Sequence, residues 1–180
     1  MDHRSSCQLL AQYNQWMNRN LYTCAAQLSR AALMQERGAF FGSIFGTLNH
    51  LAVADTLWLK RFASHPVGAV ALQPLLDAPM PQRLDQPLFD ELDGLARYRE
   101  WLDGLTLEFI GKLDEGAFGQ SLGYTSIRGI LATHSLHALL LHFFNHQTHH
   151  RGQVTTLLMQ AGIDPGVTDL LALIAQRDPA

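Results

Sequence analysis

The sequence predicts an all-α protein, a four-helix bundle with a long crossover between helices two and three and a short C-terminal helix. Three observations support this prediction. Apolar residues recur at helical spacing in four long segments. Five of the seven prolines fall between about Ala63 and Pro87, which predicts a long connection. The segment from Leu139 to Gln160 reads as part of one long apolar helix that carries four histidines.

The first two helices are predicted from their apolar stripes and a capping residue. Helix one runs from about Ser6 to Ala31, without internal Gly or Pro. Ser43 can cap helix two, which continues to about Phe62. Asn14 and Asn20 on helix one could line a pocket, but an asparagine on the flank of a helix is usually solvated.

The second half of the chain supplies the other two long helices. Helix three is predicted over about Leu88 to Leu113, and polar residues such as Arg99 are assigned to its solvent-exposed face. The glycine-rich segment 115–126 predicts a loop or a brief strand, with Tyr124 as a candidate hydrogen-bond donor to the site. Ser135 is a plausible N-cap for the histidine helix, which Gly162 and Pro165 terminate. Thr168 is expected to cap the short helix DLLALIAQR.

Length and charge limit the classes of function. A chain of 180 residues with 47% hydrophobic residues fits one domain over 1–180. The net charge of −3 provides no basic surface for nucleic acid. Since no apolar run is long enough to span a bilayer and no signal peptide is recognised, we expect a cytoplasmic protein without a membrane partner. Cys7 and Cys24 lie about 25 Å apart on helix one, so they are predicted to be unpaired thiols.

The histidine helix carries the candidate metal ligands. His146 and His150 are four residues apart, so their side chains share a helix face. His150 lies inside an apolar arc of roughly 100° and His146 lies at its edge. His142 and His149 fall further toward the polar side and are weaker candidates, although either could substitute for a ligand.

A third ligand would complete an open site, because catalytic zinc-type sites take three protein ligands and keep one position free. His50 flanks the apolar stripe of helix two and is the natural third ligand. Asp55 lies near the middle of that stripe. It could orient a ligand imidazole, act as a base near the metal, or pair with a buried arginine or a backbone donor.

Two kinds of metal protein fit these residues. With an open position, a thiol or water made nucleophilic by the cation would give a thiol S-transferase or a hydrolase acting on a small molecule. With a fourth protein ligand, such as His142 or Asp55, the site would be a non-catalytic staple in a metal-binding or stress-response bundle. A third alternative is a plain helical bundle in which the histidines are incidental. Imidazole ligands suit zinc, nickel, copper or iron, and zinc or nickel is expected here.

Four segments together resemble the DinB family of damage-inducible helical proteins, also known as DinB/YfiT-like. They are NHQTHHRGQ, which is the most specific, and NHLAVADTLWLKRF, YNQWMN and AGIDPGVTDLL. The resemblance implies a four-helix bundle with a crossover, often a homodimer, that holds a divalent metal through three histidines. Carried over onto this sequence, those ligands are His50, His146 and His150. It also implies low-molecular-weight thiols as one class of substrate, and many members of the family have no assigned reaction.

Overall fold

The computed structural model describes residues 2–177 and is mostly helical. Its six helices and two strands follow the order α1, α2, α3, α4, β1, β2, α5 and α6. The helices are α1 His3–Ala25, α2 Arg30–Met34, α3 Ile44–Ala63, α4 Leu92–Lys112, α5 Leu136–Gln160 and α6 Leu170–Arg177, and the strands are β1 Ser121–Thr125 and β2 Leu131–Ser135.

Four long helices enclose the core. Helix α1 packs against α4 and α5, and α3 packs against the same two helices. Their apolar faces merge into one hydrophobic cluster that contains side chains from all four. This arrangement brings α3 and α5, the two helices with candidate metal ligands, into direct contact.

The prediction of an all-α protein was wrong in one respect, because β1 and β2 form an antiparallel two-stranded sheet. The strands pair in the register Ser121↔Ser135 and Thr125↔Leu131. The alternating run that predicted a loop or a brief strand corresponds to β1. The second strand is largely solvent-exposed and lacks the apolar alternation by which a half-buried strand is recognised.

Side-chain caps mark the starts of α3 and α5. Ser43 accepts a hydrogen bond from the backbone of Gly46 at 3.0 Å, and Ser135 accepts one from Ala138 at 3.3 Å, as the sequence predicted. Helix one ends earlier than predicted, at Ala25, and the separate helix α2 follows it with Ser29 as its N-cap. Within residues 2–177, no helix is long and apolar enough to span a bilayer.

The long connection between α3 and α4 is pinned to α3 by Asn49. Its side-chain amide donates to the carbonyl of Gln86 at 2.8 Å, and its amide oxygen accepts from the backbone of Leu88 at 2.9 Å. Near the C-terminal end of α3, the Lys60 ammonium donates to the carbonyls of Leu75 and Leu76. The connection therefore lies against α3 beside the candidate metal ligands.

Candidate metal centre

Three histidines from two helices converge at the contact between α3 and α5. His50 comes from the second turn of α3, and His146 and His150 lie one turn apart on α5. Each offers a ring nitrogen such that the three atoms lie within 4.8 Å of one another. His50 and His150 are buried, with 2% and 8% exposure, and His146 is half-buried. Within residues 2–177, the structure brings together all three residues that the sequence selected as ligands.

Hydrogen bonds to the far side of two rings orient their free nitrogens. The Nδ1 atom of His50 lies 2.9 Å from the carbonyl oxygen of Leu84, which can only accept, so this nitrogen carries the proton. The Nδ1 atom of His150 lies 2.7 Å from Oε1 of Gln153 and donates in the same way. Both rings therefore present an unprotonated Nε2 when neutral. Partners of this kind are typical of metal-ligating histidines.

The spacing of the ring nitrogens suits a common cation. The Nε2 atoms of His50 and His146 are 3.2 Å apart. Two imidazole nitrogens that bind one tetrahedral zinc ion at about 2.0–2.1 Å are themselves about 3.3 Å apart. The donor set is all nitrogen and neutral, which fits a borderline transition-metal cation better than calcium or magnesium.

All three imidazoles are held in the neutral form that a metal requires. Burial lowers the pKa of His50 to about 4, with a smaller contribution from the charge of His150. Burial, followed by the neighbouring histidines, lowers the pKa of His146 to about 3. Burial also lowers the pKa of His150. Clustered imidazoles cannot all carry charge in a water-poor site, so the lone pairs are available near neutral pH.

Phe41 covers one side of the histidine cluster. Its ring stacks on His50 with 3.7 Å between the centroids and meets His150 edge-on at 5.6 Å. The turn that carries Phe41 can lie this close to α3 because residue 46 is glycine. A Cβ atom there would stand 2.1 Å from the carbonyl oxygen of Phe41.

The two additional histidines stand beside the cluster. The ring of His142 lies 6.0 Å from that of His146 and 5.0 Å from that of Trp58. His149 packs edge-on against His150 at 4.8 Å, and its Nε2 lies 3.3 Å from the Gln153 side-chain amide. Neither joins the group whose nitrogens converge, within the part of the chain that the structure describes.

Asp55 lies one and a half turns from His50 in a buried ion-pair network. Its carboxylate accepts a 2.7 Å hydrogen bond from Arg99, and the two side chains are 1% and 2% exposed. Arg99 also pairs with Asp103 at 3.0 Å, and Asn18 donates to that second carboxylate. Burial raises the pKa of Asp55, and the charge of Arg99 opposes that shift. The assignment of Arg99 to a solvent-exposed face was therefore wrong.

A second polar group lies behind the histidine face of α5. Arg151 is 2% exposed and donates to the side-chain oxygens of Asn14 and Gln147. Its guanidinium also lies 5.0 Å from the centre of the Tyr13 ring. Asn14, which the sequence assigned to solvent, is buried because it accepts from this arginine. Hydropathy assigns every charged residue to the surface, so it did not predict the four Asp and Arg residues that are buried here. These are Asp55, Arg99, Asp103 and Arg151.

Tyr124 lies on β1, further from the cluster. Its ring contacts Trp58 at 5.1 Å and His134 at 6.1 Å, and the guanidinium of Arg61 lies over it at 5.2 Å. It lines a cavity of about 510 Å³ together with Arg61. Trp58 connects this cavity to the histidines through its contact with His142.

Comparisons with known proteins match nearly the full length of the chain to one protein family. The sequence model of the DinB family matches residues 1–178. Protein DinB of Bacillus subtilis is 28% identical over 161 residues, which cover 89% of this chain and 88% of that protein. No solved structure matches the chain significantly.

Proposed function

The chain belongs to the DinB family, and from this premise we propose that it is a metal-dependent enzyme whose His50, His146 and His150 hold a divalent cation next to an open position. We propose zinc or nickel, two of the cations that imidazole ligands suit. The reaction is a thiol S-transfer or a hydrolysis on a small molecule. The convergence of three imidazoles, each with one ring nitrogen within 4.8 Å of the other two, carries this proposal.

The protein's own residues prepare the site in three ways. Burial keeps the ligand rings neutral, Leu84 and Gln153 fix the direction of two lone pairs, and Phe41 shields one side from water. Because the three candidate ligands contribute no negative charge, a divalent cation held by them would keep its full charge, and it would lower the pKa of water or a thiol at the open position. A low-molecular-weight thiol is the substrate class that this chemistry favours for an S-transferase.

An open coordination position is supported over a closed one. The alternative, a non-catalytic metal-binding or stress-response bundle, needs a fourth protein ligand. Asp55 is engaged with Arg99, and the His142 ring stands 6.0 Å from the His146 ring, against Trp58. Both candidates for the fourth position are thus committed to other neighbours.

We propose different roles for Asp55 and Tyr124, the two candidate catalytic residues. Of the roles open to Asp55, the ion pair with Arg99 supports a structural one. Tyr124 remains a candidate for contact with substrate, because it lines a cavity with Arg61 and reaches the histidines only through Trp58 and His142.

We extend the proposal to the architecture around the site. The mutual packing of the four long helices supports a single-domain four-helix bundle, with 64–91 as its crossover. A homodimer is proposed on family membership alone. The buried, unpaired Cys7 and Cys24 support a reducing, cytoplasmic setting.

Elemental analysis of untagged protein tests the metal site, and an activity panel tests the enzyme. We expect about one divalent transition metal per chain, and turnover of thiol-conjugation or ester substrates that stops with chelator and returns with zinc or nickel. Protein that binds no such metal would refute the site. A metal-replete protein that is inactive on every panel, with four protein donors in its X-ray absorption spectrum, would favour the non-catalytic alternative.

A further inference from the structure

A cavity of about 460 Å³ borders the histidine cluster on the side toward the end of α5. One wall is the segment 37–40, which includes Arg37 and Phe40. The other wall is a stripe of α5 that includes His149, Gly152 and Gln153. Its volume is in the range of small-molecule sites in proteins.

Two residues connect the cavity to the candidate metal ligands. Gln153 lines the cavity and accepts the Nδ1 hydrogen bond of His150 at 2.7 Å. Phe41 directly follows the cavity wall in sequence and stacks on His50. A ligand in the cavity would therefore lie one side chain away from the cluster.

The charge of the cavity is positive and uncompensated. Arg37 is half-buried, and one terminal nitrogen donates to the neutral Gln35 side chain at 3.1 Å. Its Nε atom is buried without a hydrogen-bond partner among residues 2–177. The neighbouring carboxylate of Glu36 instead accepts from the backbone of Gly38 at 2.7 Å, and no Asp or Glu appears among the described residues that line the cavity. A guanidinium without a carboxylate partner recognises a carboxylate ligand through charge-assisted hydrogen bonds.

Gly152 leaves space on the α5 side of the cavity, because it has no side chain. It lies inside α5, where glycine costs roughly 1 kcal/mol relative to alanine, and a Cβ atom there would meet nothing within 4 Å. Packing against the protein therefore does not require glycine. The hydroxyls of Thr155 and Thr156 turn back to the carbonyl of Gly152, which leaves the space above this residue unfilled.

We propose that this cavity is one substrate subsite of the metal centre and that it takes a small organic anion whose carboxylate pairs with Arg37. This inference rests on the proposed function for its link to catalysis. The anion binding itself depends only on Arg37 and the space at Gly152, so it is measurable without metal and without turnover.

The test compares 4-phenylbutyrate with its uncharged amide by ligand-observed NMR titration of the full chain, both chelator-treated and loaded with zinc. We expect the carboxylate to bind at least about tenfold more tightly than the amide, a difference of about 1.4 kcal/mol. Arg37→Gln should remove this preference. Arg128→Gln, which changes an exposed arginine in the β1–β2 turn, should preserve it. Gly152→Phe should abolish binding of both compounds, and Gly152→Ala should weaken it to a smaller extent.

Several outcomes would overturn the inference. These are equal binding of acid and amide, no binding of either, or a preference that survives Arg37→Gln. Carboxylate binding that appears only in the zinc-loaded protein would place the anion on the cation instead of on Arg37. Failure of the proposed function is distinguishable, because a protein that binds no metal can still show the Arg37-dependent preference.

Discussion

The Nδ1 atom of His50 donates to the carbonyl oxygen of Leu84, 34 residues further along the chain, at 2.9 Å. One candidate ligand is thus oriented by the long connection between α3 and α4. Asn49 holds that connection in place through its hydrogen bonds to the backbone of Gln86 and Leu88. The orientation of His50 therefore depends on Asn49, because Asn49 holds the segment that contains Leu84.

Asn49→Ala should weaken metal binding without removing a ligand. Loss of both side-chain hydrogen bonds frees the connection and with it the Leu84 carbonyl. Changes to groups that orient ligands typically cost 10–100-fold in metal affinity. Competition with a chromophoric chelator would measure the affinity, and circular dichroism would confirm the helical fold.

Asn20→Ala is the matched control for this variant. Asn20 also ties a distant segment to a helix, through a hydrogen bond to the carbonyl of Pro165 at 2.6 Å, but that segment follows α5. We expect this variant to bind metal as the wild type does. Equal affinities for Asn49→Ala and Asn20→Ala would show that the connection does not orient His50.

His146→Ala and His150→Ala should each abolish stoichiometric metal binding while the protein stays helical. Each change removes one of three convergent nitrogens, and two imidazoles hold a divalent cation far more weakly than three. Metal content per chain, measured on untagged protein, checks this. His142→Ala and His149→Ala are the controls and should retain the metal. Full occupancy in both of the first two variants would refute the ligand assignment.

The sequence selected the three histidines that the fold brings together, because helical periodicity fixes which side chains share a face. His146 and His150 follow from their spacing, and His50 follows from its place beside an apolar stripe. The Leu84 contact could not be predicted in this way, because it joins a helix to an irregular segment whose path depends on tertiary packing. Asn49 carried a weak signal, as a polar residue directly before a candidate ligand.

The buried charges escaped the sequence analysis for a different reason. Arg99 lies off the apolar stripe of its helix, and a lone arginine there is usually solvated. It is buried because Asp55 and Asp103 neutralise it from two helices. The clue in the sequence was a carboxylate, Asp55, on an apolar helix face. A buried arginine partner was one of the interpretations given for it.

Acidification should destabilise the metal-free protein through the histidine cluster. The pKa values of His50 and His146, about 4 and about 3, lie below the ordinary value of about 6.5. Between pH 6.5 and 4 the unfolded chain therefore binds protons that the native state does not. The stabilising contribution is complete above pH 6.5 and is lost as the pH falls toward 4.

Urea denaturation of chelator-treated protein at pH 7.5 and 5.0 would measure this loss. The pKa of His146 alone would give a loss of roughly 2 kcal/mol over this range, and solvent screening of the half-buried ring reduces it, so we expect the wild type to lose roughly 1 kcal/mol more than His146→Leu. Comparison with the variant subtracts the titration of the carboxylates, which both proteins share. Parallel pH dependence of the two proteins would contradict the prediction.

Asp55→Ala should lower the free energy of unfolding strongly and leave metal binding intact. The change leaves Arg99, which is 2% exposed, with Asp103 as its remaining carboxylate partner, and removal of one member of a buried ion pair typically costs about 3–5 kcal/mol. Glu100→Ala, which breaks the exposed pair with Arg19, is the control and should cost no more than about 1 kcal/mol. Urea midpoints measure both costs. If Asp55 instead orients a ligand imidazole or acts as a base, Asp55→Asn would lose metal affinity or activity, which loss of the ion pair alone would leave unchanged.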